Sequence, residues 1–111
     1  MRLKSILATA AVLAALSSIN AFGADTLQNY EKHCMKCHGK DGKGQTKMGK
    51  QSGVKDYTDP KVVDEMKDDK ALKTIKEGIT EKGKERMKPY AAELKDDEIK
   101  ALIAYMRAFK K

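Results

Sequence analysis

Apolar residues recur at helical spacing in four stretches of this chain, separated by polar and glycine-rich segments. The first runs from about Thr26 into Cys34-Met35-Lys36-Cys37-His38, with Leu27 and Tyr30 on one face and Asp25 or Thr26 as N-cap. A second begins at Asp59-Pro60, an N-cap followed by proline at the first helical position. It carries Val62, Val63 and Met66 inward and breaks near Asp68-Asp69. The third covers about Lys70 to Glu77, with Ala71, Leu72 and Ile75 apolar and Gly78 as its stop. In the last, roughly Asp96 to Phe109, Ile99, Leu102, Ile103 and Met106 repeat at helical spacing beside Tyr105. Leu94 and Ile99 fit a hydrophobic staple around an N-cap at Lys95, with Glu98 closing half of a capping box. The segments His38 to Gly44 and Glu81 to Lys88 read as loops, and no strand pattern or internal repeat is visible. The expected fold class is all-α.

Met1 to about Gly23 has a different pattern. Arg2 and Lys4 precede an apolar run from Ile6 to Leu16, and Ala21-Phe22-Gly23 places small residues three and one before a cut. The expectation is a cleaved secretory signal over 1–23, a single domain over 24–111, and a periplasmic location. The apolar run is too short for a comfortable membrane span, so no stable membrane insertion is expected.

Composition sharpens the picture. From Ala24 onward the chain holds 21 Lys+Arg against 16 Asp+Glu, and Leu, Ile, Val and Phe number 12 of 88 residues. So few large apolar residues at such charge ordinarily mean disorder. Helical periodicity with clean stops says the opposite. The two agree if a bound apolar cofactor supplies part of the core, and the chain without it is then expected to be largely unfolded.

Cys34-Met35-Lys36-Cys37-His38 names that cofactor. Cys-x-x-Cys-His is the attachment signature of a c-type haem. On a helical turn, three-residue spacing puts both sulfurs on one face, where they can form thioethers to the two vinyl groups. His38 then lies under the iron as proximal ligand. A thioredoxin-like redox site expects a βαβ pattern that is missing here. A closed zinc site draws ligands from two distant segments, whereas His33, Cys34, Cys37 and His38 crowd into six residues. A disulfide across so short a loop would contribute little.

The sixth iron position decides between an electron carrier and a ligand-binding site. His33 adjoins Cys34 and cannot reach across the ring, which leaves methionine. Met35 lies inside the attachment motif, and Met66 and Met106 sit on apolar helix faces where Met ordinarily fills a core. Met87 lies in a loop two residues before Pro89 and two helices beyond His38, with room to return on the far face of the ring. Met87 is the expected distal ligand; Met48 and an open site remain alternatives.

Together these features resemble the small bacterial class I cytochromes c. The resemblance rests on Tyr30 four before Cys34, the Cys-x-x-Cys-His-Gly segment, the Asp-Gly-x-Gly loop, Met87-Lys88-Pro89-Tyr90, and a last helix with Leu102 and Tyr105. It implies a class I fold of about four helices around one covalent haem c, with the first and last helices crossing near Tyr30 and Leu102–Tyr105. It also implies a non-enzymatic one-electron carrier held by Cys34, Cys37, His38 and Met87. The chain departs from the family in having no proline between His38 and Pro60, so the usual carbonyl acceptor for the His38 Nδ1 proton must be another group.

Lys82, Lys84, Arg86 and Lys88 flank Met87, while Lys40, Lys43, Lys47, Lys50 and Lys55 make a second basic stretch. They suit redox partners with acidic docking surfaces; the ordinary alternative is solvated lysines that keep a small monomer soluble. Export and interspersed acidic residues argue against nucleic acid. A haem enzyme or gas-binding protein, or an electron-transfer subunit of a larger oxidoreductase, are the competing functions.

Overall fold

The computed structural model describes residues 23–111, so all but Gly23 of the expected signal lies outside the described residues. The helices are α1 (Ala24–Asn29), α2 (Met35–His38), α3 (Lys47–Ser52), α4 (Pro60–Glu65), α5 (Asp68–Glu77) and α6 (Asp96–Arg107). A π-helical turn, Tyr30–Cys34, joins α1 to α2, and a hairpin of β1 (Ile79–Glu81) and β2 (Lys84–Met87) follows α5.

Local chemistry explains most of the boundaries. Asp59 accepts from the Lys61 amide at 2.9 Å with Pro60 in the first helical position, as expected for α4. α4 ends sooner than expected, at Glu65, and α5 starts earlier, at Asp68 after an extended Lys67. Arg107 fixes that junction by donating to the Met66 carbonyl at 2.7 Å and the Val63 carbonyl at 3.2 Å while pairing with Asp68. α6 starts after Lys95, whose amide donates to the Glu98 carboxylate at 2.8 Å. Lys95 has no oxygen to return the bond, and its side chain makes no cap. The first helix is capped by Gly23 rather than by Asp25 or Thr26.

Two elements differ from the sequence expectation. Lys47–Ser52, in the basic stretch outside the four expected helices, is helical: the Thr46 hydroxyl accepts from the Gly49 amide at 2.9 Å, and Gly53 closes the helix at φ +71°. Glu81 to Lys88, read as loop, is mostly hairpin; Lys82 and Gly83 take φ of 51° and 78° at its turn. The fold is therefore mostly helical with one strand pair, not purely α.

The core gathers on α6. Ile99, Leu102, Ile103 and Met106 are buried with Leu94 and Tyr30. Tyr30 packs on Tyr105 at a ring separation of 4.7 Å and on Phe109 at 5.7 Å, so the first and last helical segments meet where the resemblance placed them. Around this cluster lies a ring of half-buried apolar side chains, among them Cys34, Met35, Tyr57, Met66, Leu72, Ile75 and Tyr90.

Candidate functional site

The attachment motif sits at the end of the first helical run. The Met35 amide bonds to the Tyr30 carbonyl, an i→i+5 step that closes the π turn immediately before Met35, and such turns concentrate at functional positions. Cys34 and Cys37 are free, half-buried thiols. Burial, then the neighbouring Cys37, pushes the Cys34 thiol up to about 12. Burial also lowers His38 to about 4, which holds the imidazole neutral at ordinary pH. Neutral imidazole is the form that donates a lone pair to a metal. The His38 Nδ1 atom is buried and has no hydrogen-bond partner among the described residues. The Tyr57 ring lies edge-on to the imidazole, with ring centroids 5.7 Å apart.

Backbone contacts fix the loop that follows. The Tyr30 hydroxyl donates to the Gly39 carbonyl at 2.5 Å, and the Gly44 amide donates to the His38 carbonyl at 2.8 Å. The Thr46 hydroxyl donates to the Lys36 and Cys37 carbonyls at 2.7 and 3.1 Å, filling acceptors left open at the end of α2. α3 crosses so closely that a Cβ on Gly49 would collide with the Cys37 carbonyl oxygen.

Met87 ends β2, half-buried. Ile79 pairs with Met87 and Thr80 with Glu85, leaving Arg86 as the extra residue of a β-bulge; bulges re-aim the side chains beside them. Arg86 reaches to the Gln51 carbonyl at 3.0 Å and faces Glu81 at 3.7 Å, tying the hairpin to α3. Gly78, at φ +76°, lets the turn close: a Cβ there would lie 2.5 Å from the Met87 carbonyl oxygen. Beyond Met87, the Tyr90 amide bonds to the Ile75 carbonyl at 2.9 Å, and the Tyr90 hydroxyl reaches the His33 carbonyl at 2.9 Å. The Met87 loop is thereby fastened to the helical run that carries Cys34, Cys37 and His38. Of the other methionines, Met106 is buried, Met35 and Met66 pack against the core, and Met48 is 39% exposed on α3.

The donor set fits a c-type haem. It offers two free thiols one turn apart, a neutral imidazole next to them whose buried Nδ1 has no partner among the described residues, and the half-buried Tyr57 ring edge-on to that imidazole. Among the described residues no group of three or more His, Cys, Asp or Glu is placed to hold a metal ion by itself. Sequence reasoning missed the hydroxyls of Thr46 and Tyr90 and the guanidinium of Arg86. Only Thr46, three residues before a glycine in a potential capping position, left a readable signal.

Fold and site thus define the class, a small c-type cytochrome. The chain belongs to the family described as Cytochrome C oxidase, cbb3-type, subunit III, which matches residues 23–106. It is similar to the solved structure of the KustC0563 c-type cytochrome, with 32% identity and a TM-score of 0.70 over 78% of this chain and 98% of that one. A solved point mutant of Kustc0563 aligns comparably, at 31% identity and a TM-score of 0.68 over 78% and 99%. No curated protein matches the chain. Among the described residues no helix is long and apolar enough to cross a membrane. Membership makes this an electron-transfer haem protein with redox partners.

Proposed function

We propose that the protein is an exported, monomeric, periplasmic one-electron carrier with a single haem c, held by Cys34 and Cys37 as thioethers and by His38 and Met87 as axial ligands. The observation that carries this reading is the fastening of the Met87 loop to the haem-motif run through Tyr90 and His33. Each thiol adds across one vinyl double bond, sulfur to one carbon and hydrogen to the other, with no leaving group. The bound group supplies the one-electron couple. The Met87 thioether is a soft donor that favours the ferrous state and raises the potential relative to a second histidine. Tyr57, edge-on to the His38 imidazole, and Tyr90, bonded to the His33 carbonyl, are half-buried and would limit water beside a group held by His38.

Once the haem is attached, electron transfer needs no side chain as acid, base or nucleophile. Lys82 and Lys84 are exposed on the hairpin, and Lys47 and Lys50 on the adjoining helix. That face suits an acidic partner, with an association rate that falls as salt rises. Lys88 is partly engaged, pairing with Glu93 at 3.1 Å. The family description favours one second reading, in which the chain works as the electron-entry subunit of an oxidase rather than as a free shuttle. Co-purification of the native protein with a membrane oxidase selects that reading; isolation as a free monomer selects the shuttle. Met87→Ala tests the ligand: it should admit carbon monoxide to the ferrous protein and lower the potential, and if it does neither, Met87 is not on the iron.

A further inference from the structure

The position four before the first haem cysteine carries tyrosine, and its hydroxyl has a use that ring packing does not require. Tyr30 is fully buried, stacked against Tyr105 and Phe109. A phenylalanine would fill that space equally well. The hydroxyl instead crosses the π turn and the attachment motif to donate to the carbonyl of Gly39, the residue directly after His38.

Besides the bonds internal to α2, three backbone bonds among the described residues hold the His38–Gly39 unit: Gly39 amide to Met35 carbonyl at 2.8 Å, Gly44 amide to His38 carbonyl at 2.8 Å, and Gly42 amide to Gly39 carbonyl at 3.3 Å. The first closes the short helix α2, and the other two come from the local turn, which contains the positive-φ residues Gly39, Gly42 and Gly44. Such a turn is intrinsically soft. Among the described residues, the Tyr30 hydroxyl makes the one bond to this unit from a side chain in the packed core. It matters more here because the His38 Nδ1 atom has no acceptor among the described residues, so no ring hydrogen bond sets the imidazole plane from behind.

We propose that Tyr30 is a positioning residue for His38, its hydroxyl clamping the Gly39 carbonyl so that the core fixes the orientation of the proximal imidazole. This rests on the reading of His38 as iron ligand. Tyr30→Phe removes the clamp while leaving the ring and its packing in place.

The test is the proton NMR spectrum of the ferric holoprotein, whose haem-methyl shifts follow the planes of the axial ligands. Tyr30→Phe should shift and reorder those resonances and move the reduction midpoint. Ile103→Val, a methylene lost from the same core away from Gly39, should lower the melting temperature and leave the resonances in place. If Tyr30→Phe loads haem poorly, the same comparison is made in a Lys95→Ser background to restore stability. A Tyr30→Phe spectrum that superimposes on the wild type overturns the proposal, whatever its melting temperature. A wild-type spectrum with no strongly shifted haem methyls or no axial-histidine resonance would instead overturn the ligand reading, and the clamp with it.

Discussion

Alanine at Gly49 separates two opposed expectations. Gly49 is the third residue of α3, and helix propensity alone favours alanine over glycine by up to ~1 kcal/mol. The packing argues the other way. A Cβ at this position would fall inside van der Waals distance of the Cys37 carbonyl oxygen and lie 2.5 Å from that of Gly44. Both obstacles are backbone, and neither can swing aside as a side-chain tip would. Overpacking of this kind costs roughly 1–3 kcal/mol, here towards the upper end. Lifting α3 also stretches the Thr46 hydroxyl bond to the Cys37 carbonyl, and tilting it strains the bond from the Gly49 amide, at roughly 0.5–1.5 kcal/mol each. After the propensity gain, the net loss is about 2–5 kcal/mol. For a domain of this size that lowers the melting temperature by about 10–25 °C. Thermal unfolding of the haem-loaded protein, followed by far-UV circular dichroism, measures it. A Gly49→Ala variant that melts at or above the wild-type temperature would refute the close crossing of α3 over the haem motif.

Other outcomes follow from the same contacts. Lys95 occupies an N-cap with extended backbone and no capping oxygen, so Lys95→Ser should stabilise the protein by about 1 kcal/mol, and an unchanged or lower melting point removes that register. Haem-free chain should be largely unfolded, and native-like circular dichroism with a cooperative melt would contradict the role given to the cofactor in the core. His38 titrates at about 4 when folded against an ordinary 6.5, so between those values the unfolded chain binds more protons. Stability should be complete above about pH 6.5 and fall as the pH drops towards 4, an effect that iron coordination enlarges. A melting temperature that is flat from about pH 7 to about pH 4 would show that His38 is not held neutral. Met48→Ala should leave carbon monoxide exclusion intact, and opening of the iron by that change would move the sixth ligand from β2 to α3.

The amphipathic elements were legible because their apolar faces are the core. Ile99, Leu102, Ile103 and Met106 mark α6 by spacing, and Asp59-Pro60 marks the start of α4 by cap chemistry. α3 and the hairpin were not legible by that route. Lys47–Ser52 has no apolar stripe; it is helical because Thr46 caps it, Gly53 ends it, and Gly49 lets it lie on backbone. The β1 residues and the first half of β2 are exposed, so their alternation carries no hydrophobic signal, and only Lys82-Gly83 hinted at the turn. The candidate ligands could be read as residue types at fixed spacing. What holds them could not: the hydroxyls of Tyr30, Thr46 and Tyr90 act on carbonyls 9, 10 and 57 residues away, and nothing local announces such a bond. Nor does the sequence reveal the bulge at Arg86 beside Met87, which follows from the pairing of Ile79 with Met87.

The most direct test of the carrier reading is the pair of oxidised and reduced absorption spectra of the full chain, expressed with a haem-attachment system and repeated after denaturation. The account predicts haem that stays bound in denaturant, a low-spin spectrum in both states, and the weak far-red band of a ferric iron–methionine bond. Covalent haem with a high-spin ferric spectrum would keep Cys34, Cys37 and His38 but contradict Met87 and the carrier function. Absence of covalent haem would contradict the account at its root.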